Sequence, residues 1–216
     1  MRRLTLVSLA GVTMGAVVSA QSLSPADVQS AISLGRRGKT AELTTHCLAE
    51  AGFRQSMKGA IAGGIQPIGS FDVTVSLNAG RIASLAASAA RVYKPFTPAD
   101  VPDALKAPAM FIAVIPQGPR QFEDVVAVAS PIDHIVLKSK AKADLVVQPE
   151  HLDTEPVEWT NLAGVTVRAN RGLARFPVGA VRELPVGDFV VTVITHAGER
   201  QCTIGAKDRA RLFAVH

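Results

Sequence analysis

The sequence predicts an α+β fold, in which N-terminal helices and one strand–helix unit pack on a C-terminal antiparallel β-sandwich. From residue 71 a short alternating segment leads directly into a helical pattern, which indicates the strand–helix unit. After residue 107, short apolar segments recur between Pro, Gly, Asn and Asp, which indicates antiparallel β-structure. The 216 residues are 48% hydrophobic with a formal charge of only +5, so the chain can bury a core and is not disordered.

The first twenty residues have the pattern of a secretory signal peptide. Arg2 and Arg3 precede a diluted apolar run, and Val18-Ser19-Ala20 offers the small residues that a signal peptidase recognises. The alternative is an N-terminal membrane anchor, but the run from Leu4 to Val18 is short for a bilayer span. We therefore predict that residues 1–20 are removed and that the mature protein is periplasmic or secreted.

The mature chain divides into a mainly helical region with one strand, residues 21–107, and a β-rich, sandwich-like domain, residues 108–216. Without Arg2 and Arg3 it has 21 basic and 18 acidic side chains, a formal charge of +3. This near balance, together with the lack of basic clusters interleaved with aromatic residues, argues against nucleic-acid binding. The remaining sequence has no apolar segment long enough to predict a membrane span after cleavage.

Two helices are predicted near the mature N-terminus. Ser24-Pro25-Ala26-Asp27 combines an N-cap residue, a proline in the first turn and an acid, and Gly35 is a stop signal. A second helix is predicted from Thr40 to Glu50, with Cys47 facing inward. Residues 53–70 contain too many glycines, and a proline, for an assignment.

The strand–helix unit is the clearest local pattern in the chain. Residues Phe71 to Leu77 alternate apolar and polar, which predicts a half-buried strand. A helix is predicted from Asn78, and its small alanines suggest close packing against a sheet. Its predicted buried face consists of Ile82, Leu85, Ala86, Ala89, Val92 and Tyr93. Thr97-Pro98-Ala99-Asp100 repeats the capping chemistry in front of a short helical turn.

The C-terminal half is predicted to be made of short strands. Its candidate strands are residues 109–115, 123–129, 132–138, 144–149, 155–160, 164–169, 172–177, 187–195, 199–204 and 210–215. The segment from Gly187 to Ile204 has the pattern of a hairpin with a turn at residues 196–199. With the short turn at Gly179–Leu184, this hairpin resembles the closing strands of immunoglobulin-like sandwiches. The resemblance covers about 30 residues and implies a fold, not a function.

The two cysteines, Cys47 and Cys202, predict an intramolecular disulfide. An even number of cysteines in an exported protein makes a disulfide the default interpretation. This bond would join the N-terminal segment to the penultimate strand of the C-terminal sheet. A reactive thiol is the alternative, but the adjacent His46 points in a different direction from Cys47 and is badly placed as its base.

Dispersed histidines and acids are the remaining candidates for a site. His134 and His151, with a carboxylate such as Asp153 or Glu150, form a chemically possible metal site. The local spacing of Glu150-His151-Leu152-Asp153 is common by chance, however, and an exposed loop accounts for it. We therefore assign no catalytic residue, metal ligand or cofactor, and keep His134, His151 and Asp153 as the alternative site.

Other enzyme chemistries find less support. Glycoside cleavage needs two carboxyl groups in one cleft, and Glu123, Asp124, Glu155 and Glu158 are available. Sugar binding also uses stacking aromatics, of which the chain has few, with one Trp and one Tyr. The sequence has no Gly-x-Ser-x-Gly motif and no phosphate-binding loop.

A set of basic residues predicts a weak attraction for anions. Its members are Lys138, Lys140, Lys142, Arg168, Arg171 and Arg175. On an extended chain the three lysines share one side and would attract an anionic envelope polymer or a lipid head group. The competing interpretation is a solvated hairpin whose lysines prevent edge-to-edge strand pairing.

From these observations we predict an exported bacterial protein that acts without catalysis. It would bind an unknown protein or envelope partner, or support the envelope structurally. The alternative is a small secreted hydrolase whose site is assembled from the dispersed histidines and acids. The sequence predicts no cofactor and leaves the oligomeric state open.

Overall fold

The secondary structure comes from a computed structural model, which describes residues 23–50, 70–117, 131–160, 166–196 and 198–214. Within these ranges the helices are α1 (Pro25–Arg36), α2 (Asn78–Arg91), α3 (Val178–Glu183) and α4 (Ala206–Ala214). The strands are β1 (Thr44–Ala49), β2 (Phe71–Leu77), β3 (Ala109–Pro116), β4 (Ile132–Ser139), β5 (Val146–Val147), β6 (His151–Thr160), β7 (Thr166–Pro177), β8 (Phe189–Thr195) and β9 (Gly198–Ile204). Short 3-10 turns lie at Thr40–Glu42, Pro98–Asp100 and Asp103–Leu105.

The strands form two antiparallel sheets. One has the order β1-β2-β3-β7-β6 and the other the order β5-β4-β8-β9. Val75 and Ile112 of the first sheet share one buried cluster with Ile135 and Val193 of the second, so the sheets face each other across a common core. The structure therefore confirms a mixed α+β chain with two antiparallel sheets, which is compatible with a β-sandwich-like fold.

Helices α1 and α2 form a layer on the outer face of the five-stranded sheet. Phe111 and Leu173 belong to the face opposite the sheet-to-sheet core, because side chains alternate along a strand. Both pack in a second buried cluster with Ile32 of α1 and Ile82 of α2. The predicted packing of the helix from Asn78 against a sheet is thus confirmed.

The two helices of this layer touch through small residues. A Cβ atom at Gly35 of α1 would clash with the carbonyl oxygen of Ala83 of α2. Gly80 of α2 approaches the carbonyl of Leu43 in the same way. Glycine at these positions therefore allows backbone-to-backbone contact that any side chain would prevent.

Helices α3 and α4 are connected differently, by a buried arginine. Arg209 donates from Nη1 to the carbonyls of Pro185 (2.6 Å) and Gly187 (3.4 Å). It donates from Nη2 to the carbonyls of Val181 (3.2 Å) and Leu184 (2.9 Å). Burial lowers the pKa of Arg209, although a guanidinium remains charged. One side chain of α4 therefore satisfies the C-terminal carbonyls of α3 and the loop after it.

A second arginine joins α4 to the start of β1. Arg211 donates from Nη1 to the carbonyl of Ala41 (3.2 Å) and from Nη2 to that of Thr44 (2.9 Å). The C-terminal helix, which follows β9 of the four-stranded sheet, is thus also attached to β1 of the five-stranded sheet.

The two predicted capping sequences are confirmed. At α1, Asp27 N donates to Ser24 Oγ (3.2 Å) and Ser24 N donates to Asp27 Oδ2 (3.1 Å). At the second, Thr97 N donates to Asp100 Oδ2 (2.8 Å) in front of a single 3-10 turn. The Thr97 hydroxyl, which donates to Asp100 Oδ2 (2.7 Å), and then Thr97 N hold the pKa of Asp100 below its usual value.

The helix predicted from Thr40 to Glu50 is wrong. Only the turn Thr40–Glu42 is helical, and β1 follows it as the edge strand beside β2. The β-branched Thr44 and Thr45 favour an extended chain, and pairing with β2 gives the backbone its hydrogen bonds. The described part of the region 21–107 therefore contains the two strands β1 and β2, where one was predicted, and β2 pairs with β3 across the boundary predicted after residue 107.

The strand–helix unit is confirmed at Phe71–Leu77 and Asn78–Arg91. Two residues of its predicted buried face are misassigned, because Val92 and Tyr93 are exposed. The helix ends at Arg91, so Val92, its C-cap residue, and Tyr93 lie beyond the last helical turn. The helical periodicity therefore extends past the point where the helix stops.

Most of the predicted C-terminal strands are present. The hairpin predicted from Gly187 to Ile204 is formed by β8 and β9. The segments 164–169 and 172–177 belong to one long strand, β7, and the segment 155–160 belongs to β6, which begins at His151. The predicted strand 123–129 and the unassigned residues 53–69 lie outside the described residues.

The strand predicted at residues 210–215 is wrong, because the chain forms helix α4 there. Arg209, Leu212 and Phe213 share one helical face, and Arg209 and Leu212 are buried. Asp188 Oδ1 accepts a hydrogen bond from Ala206 N (2.9 Å) at the start of this helix. Contacts with distant segments therefore decide the conformation of a weakly patterned terminal sequence.

Candidate functional site

The predicted disulfide between Cys47 and Cys202 is confirmed. The Cα atoms are 5.8 Å apart, and the bond joins β1, at the edge of one sheet, to β9, at the edge of the other. β9 is the last strand and not the penultimate one, since the strand expected after it is α4. Next to the bond, Glu50 and Gln201 exchange backbone hydrogen bonds of 3.0 and 3.2 Å. The disulfide therefore closes one side of the two-sheet core.

His46 and Cys47 lie on opposite faces of β1. His46 is exposed, and its Nδ1 lies 2.9 Å from Thr74 Oγ1 on the outer face of the sheet. Cys47 faces the core side, where it forms the disulfide. Strand alternation, rather than the helical geometry assumed from the sequence, separates this histidine from the cysteine.

Two of the three residues of the alternative site meet. His151 Nε2 lies 2.9 Å from Asp153 Oδ1 on one face of β6, and both side chains are 67% exposed. His134 lies on β4 of the other sheet, where it is exposed. Among the residues that the structure describes, no three His, Cys, Asp or Glu side chains are grouped so that they could hold a metal ion.

The acids considered for glycoside cleavage are only partly described. Glu155 on β6 accepts a hydrogen bond from Nε of Arg171 on β7 (2.9 Å). Glu158 also lies on β6, whereas Glu123 and Asp124 are outside the described ranges. Glu155 is therefore engaged by a neighbouring guanidinium on an exposed surface.

Most of the predicted anion-attracting residues face acids. Lys138 pairs with Glu199 (3.6 Å), and Lys140 with Asp188 (3.1 Å). On β7, Arg171 pairs with Glu155 and Arg175 pairs with Glu150 (3.8 Å), and Arg168 lies on the same strand. These ion pairs neutralise much of the positive charge, so this region is a poor candidate for an anionic partner.

The segment after α2 is a better candidate, because its conformation is costly and its side chains are exposed. Tyr93 has φ of 56°, and it is 97% exposed. Tyr93 N donates to the carbonyl of Ala90 (3.1 Å), and Lys94 N donates to that of Ala89 (2.9 Å). This pair of hydrogen bonds is a Schellman motif, in which the residue at the position of Tyr93 is usually glycine.

A tyrosine at this position lowers the stability of the fold. An L-residue in the left-handed conformation costs about 1–2 kcal/mol. The ring recovers none of this cost by burial, and the adjacent Val92 is also 69% exposed. Sequence reasoning missed this feature, although the helical pattern runs to its end without a glycine at the stop position.

Exposed basic residues lie within this segment and at the end of α1, which is connected to it. Arg36 at the end of α1 donates from Nη2 to the carbonyl of Phe96 (2.7 Å), which connects α1 to the segment after α2. Arg37 donates from Nε to the carbonyl of Ser33 (3.3 Å). We call this region the Tyr93 surface, and it consists of Arg36, Arg37, Arg91, Val92, Tyr93 and Lys94.

The positive charge of the Tyr93 surface is less neutralised than that of the β4 and β7 residues. None of its four cations forms an ion pair with a described acid. Lys94 does contribute to the lowered pKa of Asp100, after the hydrogen bonds from Thr97. The surface thus combines exposed cations, a tyrosine and a valine.

Comparison with protein families, with curated proteins and with solved structures found no match to this chain. None of the helices in the described ranges is long and apolar enough to cross a membrane.

Proposed function

We propose that this chain is an exported, non-catalytic protein of the bacterial cell envelope that docks on an anionic membrane surface through the Tyr93 surface. The signal-peptide pattern and the disulfide support export. On this proposal the two sheets form a rigid, immunoglobulin-like support, and the helical layer carries the docking residues.

The observation that carries the proposal is the exposed Tyr93 in a conformation that favours glycine. Glycine would fold better here, so the ring has a use that folding does not explain. Tyrosine is enriched at membrane–water interfaces, where its ring contacts acyl chains and its hydroxyl stays among the head groups. Val92 adds apolar surface beside it.

The surrounding cations favour an anionic membrane over a neutral one. A lysine or arginine near an anionic surface contributes about 1 kcal/mol. Lys94 follows Tyr93 directly, Arg91 lies two residues before it, and Arg36 and Arg37 lie at the end of α1. Their combined attraction can hold a protein that inserts only two apolar side chains, and added salt weakens it.

The test is co-sedimentation of the exported, disulfide-bonded protein with vesicles. We expect binding to vesicles of phosphatidylglycerol and phosphatidylcholine, and weak binding to phosphatidylcholine alone. Tyr93→Gly should lower the partition coefficient about fivefold, because about 1 kcal/mol of ring contact is lost. Its melting temperature should not fall, since the backbone strain is relieved.

Two double variants, each lacking two positive charges, test whether vesicle binding depends on the cations of the Tyr93 surface or only on the net charge of the protein. The double variant Arg91→Gln/Lys94→Gln should lower binding about 30-fold, from about 2 kcal/mol of lost attraction. The double variant Lys142→Gln/Lys207→Gln removes the same charge elsewhere and should bind nearly as the unmodified protein does. Equal binding by Tyr93→Gly and the unmodified protein would refute the proposal. Absence of vesicle binding would also overturn it, in favour of a protein partner.

The second candidate function is a small secreted hydrolase, and the contact between His151 and Asp153 is the observation that favours it. A carboxylate can orient a histidine as a general base. If this pair is catalytic, turnover of ester, peptide or glycoside substrates should be detectable and should disappear in His151→Ala. The envelope-docking proposal expects no turnover by the unmodified protein.

A further inference from the structure

A cleft of about 390 Å³ opens between α3 and α4. It is distinct from the Tyr93 surface, and nothing in the vesicle-docking proposal uses it. Its lining combines Arg182 and Arg209 with Val186, Ala206, Ala210 and Phe213. The volume lies in the range of small-molecule sites.

Apart from its two arginines, the walls of this cleft are apolar and accessible. Val186 follows the last proline before β8, and its side chain is 98% exposed. Ala206 and Ala210 lie one turn apart on α4, and Phe213 continues the same side of that helix. A ligand with an apolar body can therefore cover surface that the chain leaves in water.

The charge of the cleft is positive. The guanidinium of Arg182 lies 5.5 Å from the centre of the Phe213 ring, so the cation and the apolar wall are adjacent. Arg209 uses both Nη atoms on backbone carbonyls. Neither arginine forms an ion pair with a described acid, and the neighbouring acids Asp188 and Asp208 pair with Lys140 and Arg211.

We propose that this cleft binds a small amphipathic monocarboxylate, with the carboxylate on Arg182 and the apolar body against Phe213 and Val186. A guanidinium offers a carboxylate two parallel hydrogen bonds. The Phe213 ring, 5.5 Å from the Arg182 guanidinium, places an apolar surface beside this charge. Arg209 adds positive potential, but its Nη donors already have partners. Arg182 is therefore the residue that selects the carboxylate.

The test is calorimetric titration of the full, disulfide-bonded protein with octanoate and with 4-phenylbutyrate. Both probes have one carboxylate, and they differ in whether the apolar body of the ligand is an aliphatic chain or an aromatic ring. At least one of them should bind, and the corresponding uncharged alcohol, octanol or 4-phenylbutanol, should bind at least tenfold more weakly.

Two variants and one control locate the site. Arg182→Gln should weaken binding of the carboxylate about tenfold while leaving that of the alcohol unchanged. Ala210→Leu should weaken both by filling the cleft. Lys207→Gln removes the same charge from an exposed position of α4 and should leave both affinities unchanged.

Three results would overturn the proposal: no binding of either acid, equal affinity for an acid and its alcohol, or equal losses in Arg182→Gln and Lys207→Gln. Melting curves of each variant exclude misfolding as the cause of lost binding. Because these probes contain no bilayer, their failure leaves the vesicle-docking proposal unaffected.

Discussion

In the two helical regions of this protein, the helices contact each other through different interactions. Helices α1 and α2 meet through glycine and alanine, so that the backbone of Gly35 touches that of Ala83. Helices α3 and α4 meet through Arg209, whose guanidinium binds carbonyls of α3 and of the loop after it. The first contact depends on the absence of a side chain and the second on the presence of a long one.

Because the two contacts differ, the α1–α2 pair and the α3–α4 pair should respond differently to substitutions. A small-residue contact is sensitive to any added atom, because the backbones cannot separate without exposing the apolar cluster beneath them. An arginine that satisfies several carbonyls is sensitive to any loss of donors, because the carbonyls stay buried. Each proposed site lies next to one of these contacts. The Tyr93 surface adjoins the layer of α1 and α2, and the cleft adjoins Arg209 of α4.

Removing the disulfide should have the largest effect and should loosen α4 more than α1. Cys47 and Cys202 are 155 residues apart, and opening such a loop costs about 5 kcal/mol in the chain-entropy model. In Cys47→Ala/Cys202→Ala we expect faster amide exchange in α4, since β9 precedes it and Arg211 connects it to Thr44. If amide exchange became faster by the same factor in α1 and in α4, the prediction that α4 loosens more would be wrong.

Replacing Arg209 should have the next largest effect. Arg209→Met keeps most of the volume but leaves buried carbonyls without donors, which should lower the free energy of unfolding by about 3 kcal/mol. Lys207→Met on the same helix is exposed and should change it by about 0.5 kcal/mol or less. Urea unfolding of both variants measures the difference, and equal losses would show that Arg209 has no special role.

Adding one methyl group to the α1–α2 contact should cost about 2 kcal/mol. Gly35→Ala would place a Cβ against the carbonyl of Ala83, and the helices would have to separate. Gly179→Ala in α3 meets no atom and should stabilise the fold by about 0.5–1 kcal/mol, because alanine favours a helix. The contrast fails if both variants move the urea midpoint in the same direction.

The smallest expected effect is a pH dependence at the start of α4. Hydrogen bonds from Lys140, and then from Ala206 N, hold the pKa of Asp188 below its usual value. Its stabilisation should therefore be complete above about pH 4, the ordinary value for Asp, and should be lost as the pH falls through the lowered pKa. Thermal melts between pH 5 and pH 2 should show less acid destabilisation in Asp188→Asn than in the unmodified protein. Asp100→Asn is the comparison variant, because Asp100 lies in the turn after α2. In this variant the pH-dependent stabilisation by Asp188 should be unchanged.

Sequence patterns predicted the elements whose signals are local. Residues 71–91 change from a period of two to a helical period at Asn78, and both elements form where expected. Ser24 and Asp27 cap α1 through atoms three residues apart, so this interaction is also readable from the sequence. The cysteine pair was predicted because only one intramolecular pairing exists for two cysteines.

The patterns failed where distant contacts decide the conformation. Thr44–Ala49 is extended because β2 and β9 lie beside it, and Ala206–Ala214 is helical because Asp188 caps it and Arg209 anchors it. The partial site at His151 and Asp153 follows from two positions on one strand face. His134 was assigned to the same site because histidine is a common ligand and base. Residue type alone does not indicate which side chains are close in space, and His134 lies on the other sheet.

By itself, the sequence determined the α+β class, the strand–helix unit, the cap of α1 and the identity of the disulfide partners. The class and the strand–helix unit follow from the periodicity of apolar residues. The cap follows from residues within one helical turn, and the disulfide partners follow from the number of cysteines. Only the tertiary structure decided that β1 and β9 close one side of the two sheets, that Arg209 satisfies the end of α3, and that Tyr93 remains in water. Side-chain burial and hydrogen-bond partners depend on residues far apart along the chain, and local patterns do not specify which of them meet.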